Sequence, residues 1–336
     1  MVKVVDVPAM VRLLKGHGVE RFLAELTDYI SDDFRRWPAF DKSPRAATHS
    51  KDGVIELMPT CDGVLYGFKY VNGHPVNTRH GKLTVTAFGV LADVASGYPL
   101  FMAEMTLLTA LRTAASSALA ARHVARPESR VMALIGTGAQ AEFQALAFKA
   151  VLGIERIRYF DLDPAAMVKF ARNLSESGLI LEAATSAADA AAGADILTTA
   201  TAAKTRTELV TAAMVRPGMH INAIGGDCPG KTEVAPDVLG GARIFVEYTP
   251  QTLIEGEIQA RDGAFDVTEL WEVITGSRPG RRNAAEVTLF DSVGFAIEDF
   301  AALRYVHDLA TARGETVELD LVPGVADPKD LFGLLR

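Results

Sequence analysis

Arg45, Glu56, Lys69 and Arg112 are charged residues set among apolar ones: Glu56 falls in Val-Ile-Glu-Leu-Met, Lys69 in Gly-Phe-Lys-Tyr-Val and Arg112 in Ala-Leu-Arg-Thr-Ala. A charge inside such a run either alternates to the solvent face or finds a partner within the fold. Alternation accounts for each residue singly. Together the four make a pocket for a zwitterion, in which Arg and Lys hold a carboxylate, Arg bidentately, and Glu56 pairs with an amine.

A second group, Gly136-Thr137-Gly138-Ala139-Gln140-Ala141, fits G-x-G-x-x-A directly after the apolar run 131–135 and at the start of a helical pattern. The first glycine allows a tight turn, the second lets the backbone approach a pyrophosphate, and Ala141 permits close helix–strand packing. Free N–H groups at the helix start meet the phosphate charge. Asp161 ends the next strand pattern, about 20–25 residues on, where a carboxylate accepts hydrogen bonds from an adenine ribose. Leu162 follows, with no Arg beside it for a 2′-phosphate, so NAD is expected rather than NADP. The competing reading is a helix cap and a surface Asp.

The third group is the loop Ala223-Ile224-Gly225-Gly226-Asp227-Cys228-Pro229-Gly230-Lys231-Thr232. It follows a strand pattern at its carboxyl end, where open α/β sheets bind ligands. Asp227 there suits a general acid or base acting on an amine; a helix cap or a hydrated turn residue serves equally well. Cys228 has no evident base partner and reads as a packing residue. His49, His74 and His80 form no recognisable metal motif, and no metal is expected.

The elements that position these groups fall into two textures. Up to about Pro99 the chain reads as α+β. One helical stretch spans 11–34, and strand runs follow at 54–58, 66–71 and 83–91. Turn signals stand at Asp52-Gly53, Asp62-Gly63, Asn72-Gly73 and Ser96-Gly97. An alanine-rich helix, 106–124, then leads into the strand–helix alternation of a parallel sheet. Its strands are expected at 131–135, 157–160, 196–200, 220–224, 244–246 and 287–290. Helices are expected at 140–151, from Pro164 and after Ser186; 275–285 reads as a surface loop and 297–312 as a final helix. The expected class is α/β: a Rossmann dinucleotide-binding domain over 116–296 and a discontinuous α+β domain over 1–115 with 297–336.

The whole composition agrees with a globular enzyme. The 336 residues are 49% hydrophobic and 23% charged, with a net charge of −8, which argues against a general attraction to nucleic acid or anionic lipid. Cys61 and Cys228 lie outside any CxxC spacing, a pattern suited to a reducing compartment. With no signal-peptide pattern and no spanning apolar run, a cytoplasmic location is expected.

Beyond these local readings, the sequence resembles the ornithine cyclodeaminase/μ-crystallin family nearly end to end. The specific stretches are 35–42 (RRWPAFDK), 54–59 (VIELMP), 68–75 (FKYVNGHP), 110–115 (ALRTAA), the loop 136–140, 225–233 (GGDCPGKTE), 254–259 (IEGEIQ) and 290–296 (FDSVGFA). The acidic loop favours the cyclodeaminase branch over simple imine reductases. The resemblance implies a homodimer that converts L-ornithine to L-proline and ammonia with catalytic NAD. Its alternatives are an NAD-linked amino-acid dehydrogenase, a cyclic-imine reductase, a lysine cyclodeaminase, or a crystallin-like binder without turnover. It also implies that Arg45, Lys69 and Arg112 hold the substrate carboxylate with Glu56 nearby, and that Asp227 and the carbonyl of Val293 meet the distal amine. Cofactor contacts are implied at Thr84, Arg112, Gly136, Gly138, Ala139, Gln140, Asp161, Thr201, Ile221, Asn222, Ala223, Ile224, Lys231 and Ser292.

Overall fold

The computed structural model describes residues 1–202, 206–226, 228–261 and 265–336. Its architecture is α/β, built on two main sheets. The first has seven strands in the order Val317–Leu319, Val2–Val5, Pro99–Glu104, Val85–Asp93, Leu65–Gly73, Val54–Cys61 and Ala46–His49. Neighbours are antiparallel except Val2–Val5, which runs parallel to Pro99–Glu104. The alternating burial along Val54–Cys61 and Leu65–Gly73 marks a sheet with one covered face. The helix Ala296–Arg313 packs on that face, so both ends of the chain meet here.

The second sheet is wholly parallel, in the order Val267–Glu269, Arg243–Val246, Thr288–Asp291, His220–Ala223, Ile196–Thr199, Val131–Ile135, Arg156–Phe160 and Ile180–Ala183. From Ile180–Ala183 inward this is the doubly wound order, and the direction of strand addition reverses between Val131–Ile135 and Ile196–Thr199. Its central strands are buried on both faces; Val131–Ile135 runs unbroken in apolar residues, whereas the next two strands also bury the polar side chains of Thr198, Thr199, His220 and Asn222. The helix Thr106–Val124 packs against elements of both sheets and against Val19–Arg35 and Ala141–Leu152. A short parallel pair, Arg206–Val210 with Thr232–Val234, stands apart.

Two local expectations are corrected. The single helix over 11–34 is two, Val7–His17 and Val19–Arg35, because Gly18 takes φ +87° and ends the first while starting the second. The turn expected at Asn72-Gly73 is strand: Gly73 pairs with both Val54 and Val85, and the chain turns only afterwards, through Pro75–His80. Ser186 does cap a short helix, its side chain accepting from Asp189 N, and Gly153 ends Ala141–Leu152 at φ +73°.

Candidate functional site

The charged residues of the first sheet turn inward. Lys69 and Arg112 meet at one carboxylate oxygen: Lys69 Nζ donates to Asp299 Oδ1 at 2.8 Å, and Arg112 Nε lies 2.9 Å from the same atom. Arg112 Nη1 donates to Glu298 Oε2 at 2.7 Å. Arg45 Nη2 donates to the carbonyls of Val293 and Gly294 at 2.6 and 2.7 Å, and Arg45 pairs with Glu56 and Glu255, each at 3.2 Å. A Cβ on Gly294 would stand 3.0 Å from Arg112 Nη2. The segment 293–294 therefore lies between the two guanidinium groups. Arg45, Glu56, Lys69, Arg112 and Val293 are thus one cluster, drawn from two strands, two loops and one helix.

Strand alternation places Glu56 and Lys69 on the covered face, two residues out of cross-strand register. The partners the sequence reading missed are Glu298 and Asp299, on the first turn of Ala296–Arg313, where the helix dipole favours negative charge. Two acids inside Ala-Ile-Glu-Asp-Phe-Ala are as anomalous as Lys69 in its strand, and the same argument would have found them. Glu247 was also missed. Its carboxylate accepts from Ser292 Oγ at 2.5 Å and from Val293 N and Gly294 N at 3.3 and 3.1 Å. It fixes the loop that carries Ser292 and Val293.

Burial dominates the electrostatics here. It pulls the Lys69 ammonium down to about 8, with Arg112 pushing the same way and Asp299 opposing. It pushes the Glu298 carboxyl up to about 7, aided by Glu247, whose own carboxyl is raised by burial. The Arg45 and Arg112 guanidinium groups stay charged, each held by carboxylates that outweigh its burial.

The second part of the site is the carboxyl edge of the parallel sheet. Gly136 takes φ +97°, and a Cβ there would sit 2.6 Å from the Ala200 carbonyl, so only glycine lets this loop pass the neighbouring strand at the switch point. Gly138 has open space where a side chain would be, and Gly138 and Ala139 are exposed, with Gln140 half-buried. Asp161 holds the loop rather than standing clear of it: its Oδ2 accepts from Thr137 N at 2.6 Å and Thr137 Oγ1 at 3.1 Å, and its Oδ1 from Asp163 N. Thr201 Oγ1 donates to Glu233, and Lys231 Nζ donates to the Thr201 carbonyl at 2.8 Å. Ser292 N donates to Ala223 O at 2.9 Å, and Ile224 N to Thr199 O at 3.2 Å. A glycine turn at a switch point, open above Gly138 and followed by a carboxylate on the second strand, fits a dinucleotide with a free ribose hydroxyl pair.

Not every expected cofactor residue faces that edge. Ile221 and Asn222 lie inside the strand, fully buried, with Asn222 Nδ2 donating to Gln144 Oε1 and Thr198 Oγ1, each at 3.3 Å. Thr84 lies just before the strand Val85–Asp93 of the first sheet, its carbonyl accepting from His74 N and Asn72 Nδ2. Asp227 lies outside the described residues. The glycines before it rest on acids: a Cβ at Gly225 would fall on the Glu233 carboxylate and one at Gly226 on Glu257. Among the described residues no group of His, Cys, Asp and Glu is placed to hold a metal ion. A groove of about 550 Å³ lies elsewhere, along Asp41–Ser43, Pro59–Cys61 and Ala92–Val94. It lacks the converging charges, so the chemistry is assigned to the buried cluster.

Known proteins match this arrangement. The ornithine cyclodeaminase/mu-crystallin family profile matches residues 7–314. An ornithine cyclodeaminase of Agrobacterium fabrum strain C58 is 58% identical over 335 residues, 100% of this chain and 95% of that protein. A lysine cyclodeaminase structure, described for recognition of L-lysine, L-ornithine and L-2,4-diaminobutyric acid, superposes with TM-score 0.89 at 31% identity, covering 98% of this chain and 99% of that one. An archaeal alanine dehydrogenase dimer with bound NAD superposes with TM-score 0.86 at 30% identity over 96% of this chain and 99% of that one.

Proposed function

The chain belongs to the ornithine cyclodeaminase/mu-crystallin family, and from that membership we propose that it converts L-ornithine to L-proline and ammonia with NAD as a catalytic cofactor. The observation that carries the reading is the meeting of Lys69 and Arg112 at Asp299, beside the 292–294 segment that also borders the sheet edge. When bound, NAD would supply a hydride acceptor for the substrate α-carbon and a hydride donor for the cyclic imine, and would not be consumed. Gly136, Gly138, Ala139, Gln140, Asp161, Thr201, Ile224, Lys231 and Ser292 would hold it. Ile221, Asn222 and Ala223 would support that edge, and Thr84 and Arg112 would reach it from the first sheet's side.

Lys69, Arg112 and Arg45 bind the α-carboxylate, and Arg45 also keeps Glu56 and the Val293 carbonyl in place beside it. Asp227 takes a proton from the distal ammonium, freeing that nitrogen to attack the α-carbon once it is an imine; the Val293 carbonyl receives the same amine. The α-nitrogen leaves as ammonia. Burial of the cluster keeps water from the imine, and tethering both nitrogens in one molecule supplies the advantage of an intramolecular attack.

Residues 1–115 with 297–336 form the substrate-binding and dimerisation unit, and 116–296 the NAD unit. A homodimer is supported by the uncovered face of the first sheet. There Pro59, Phe68, Val90, Met102, Val4 and Val317 stand in cross-strand register across six strands, an apolar row that a monomer would leave wet. Cysteines outside any disulfide suit a cytoplasmic enzyme of proline formation and ornithine or arginine breakdown.

The test is ammonia release from ornithine, lysine, arginine and 2,4-diaminobutyrate with NAD at catalytic concentration. Ornithine is expected to release ammonia with no stoichiometric NADH. Steady NADH accumulation would establish a net dehydrogenase instead, and no turnover on any basic amino acid a binding protein. Asp227→Asn should lose about 10²–10⁴ in turnover, the span of a lost general acid–base, with NAD affinity kept.

A further inference from the structure

We propose that Asp299 is a positioning residue for the amino-acid carboxylate: through one oxygen it holds Lys69 and Arg112 side by side, so that two cations present themselves to one anion. The inference rests on the cyclodeaminase reading for the identity of the substrate, but the geometry concerns any α-carboxylate.

Two cations whose nitrogens both approach one atom within 2.9 Å repel each other unless an anion stands between them. Asp299 is that anion, 1% exposed and projecting from the helix Ala296–Arg313. Lys69 comes from the strand Leu65–Gly73 and Arg112 from the helix Thr106–Val124, so Asp299 is the common point of three elements. Glu298 holds a different nitrogen of Arg112, which fixes the plane of the guanidinium rather than its reach. Among the described residues no hydrogen bond occupies Arg112 Nη2, which leaves a donor for an incoming carboxylate. An ammonium this buried keeps its proton only with a carboxylate at hand. The charged groups around Lys69 are Asp299 from the final helix, Arg112 from the alanine-rich helix, Arg45 from the segment before Ala46–His49, and Glu56 on the neighbouring strand. The cations among these oppose the Lys69 charge. Asp299 is the acid in contact with it.

Binding of pentanoate, a carboxylate with no amine to titrate, separates this proposal from the ring-closing reading. In the unmutated, NAD-bound protein its affinity should fall as pH rises through about 8, where Lys69 loses its proton. In Asp299→Asn, whose fold is checked by circular dichroism, affinity should drop tenfold or more and the fall should begin at lower pH. Asp299→Glu, which keeps the charge on a longer arm, should restore the wild-type pH range while recovering only part of the affinity. NAD affinity should not follow either change. A folded Asp299→Glu variant that recovers neither affinity nor pH range relative to Asp299→Asn overturns the proposal. So does an Asp299→Asn variant that binds as the parent does. If pentanoate behaves as expected but ornithine yields no ammonia, Asp299 keeps its role and the cyclodeaminase reading fails.

Discussion

Glu257 shows how an acid can be costly at the residue scale and still be kept. Its carboxylate accepts from Glu233 N and Val234 N at 2.9–3.0 Å, and it underlies Gly226 at the entrance to the acidic loop. Burial raises it to about 7, with the Glu233 charge adding to the shift. A carboxyl raised in the folded state binds a proton there at pH values where the unfolded chain has lost it, so its contribution to stability is full in acid and declines as pH climbs from about 4.5 to about 7. Asp291, raised well above its ordinary value by burial and by Glu257, acts in the same direction. Thermal melting is expected to show a midpoint that falls over this range, and Glu257→Gln should flatten part of the slope. A variant as steep as its parent would remove Glu257 from the account. In the sequence Ile-Glu-Gly-Glu-Ile-Gln serves only as part of the family resemblance; the fold shows that its second Glu accepts from the strand Thr232–Val234.

Among the elements, the loop from Val131–Ile135 into Ala141–Leu152 depends on one conformation. Gly136→Ala would force a methyl group against the Ala200 carbonyl at positive φ. The expected result is loss of NAD binding by calorimetry, by tenfold or more, and destabilisation of about 1–3 kcal/mol from the strained backbone. Gly138→Ala, in open space, should leave the fold intact. This loop, its strand and the alanine-rich helix were legible because buried strands and glycine turns leave strong local patterns. The strands Ala46–His49, Ile180–Ala183 and Val317–Leu319 were not: they are sheet edges, largely exposed, where polar residues are tolerated and no alternation is imposed. Gly18 and Asn72-Gly73 were misread because a glycine signals freedom, and whether it breaks a helix or continues a strand is settled by what lies opposite. The cation cluster was legible as four anomalies. Its acids lie on the final helix, Glu298 186 residues from Arg112 and Asp299 230 residues from Lys69, and no local pattern links them.

For the whole molecule, the uncovered face of the first sheet carries the main prediction. Phe68 is the large aromatic of this apolar row, between Pro59 and Val90, and Tyr70 and Phe88 stack on each other beside it with ring centroids 5.2 Å apart. Phe68→Asp puts a charge where two such faces would join in the proposed homodimer, and should shift that proposed dimer to monomer in sedimentation. An unchanged dimer would place the subunit contact elsewhere. Among the described residues no helix is long and apolar enough to cross a membrane, so this face is not continued by one.

The helix Thr106–Val124 has a consequence for how this protein can change over time. Its far end is fastened to the parallel sheet, where the Val124 carbonyl accepts from Thr288 Oγ1 and Arg281 Nε, while Arg112, near its start, serves the other sheet. Adding or deleting one amino acid between the two fixtures would swing Arg112 by about 100° about the axis and leave its guanidinium facing the wrong neighbour. The nineteen-residue rod therefore works as a ruler, and insertions that loops elsewhere would absorb have no tolerated place along it.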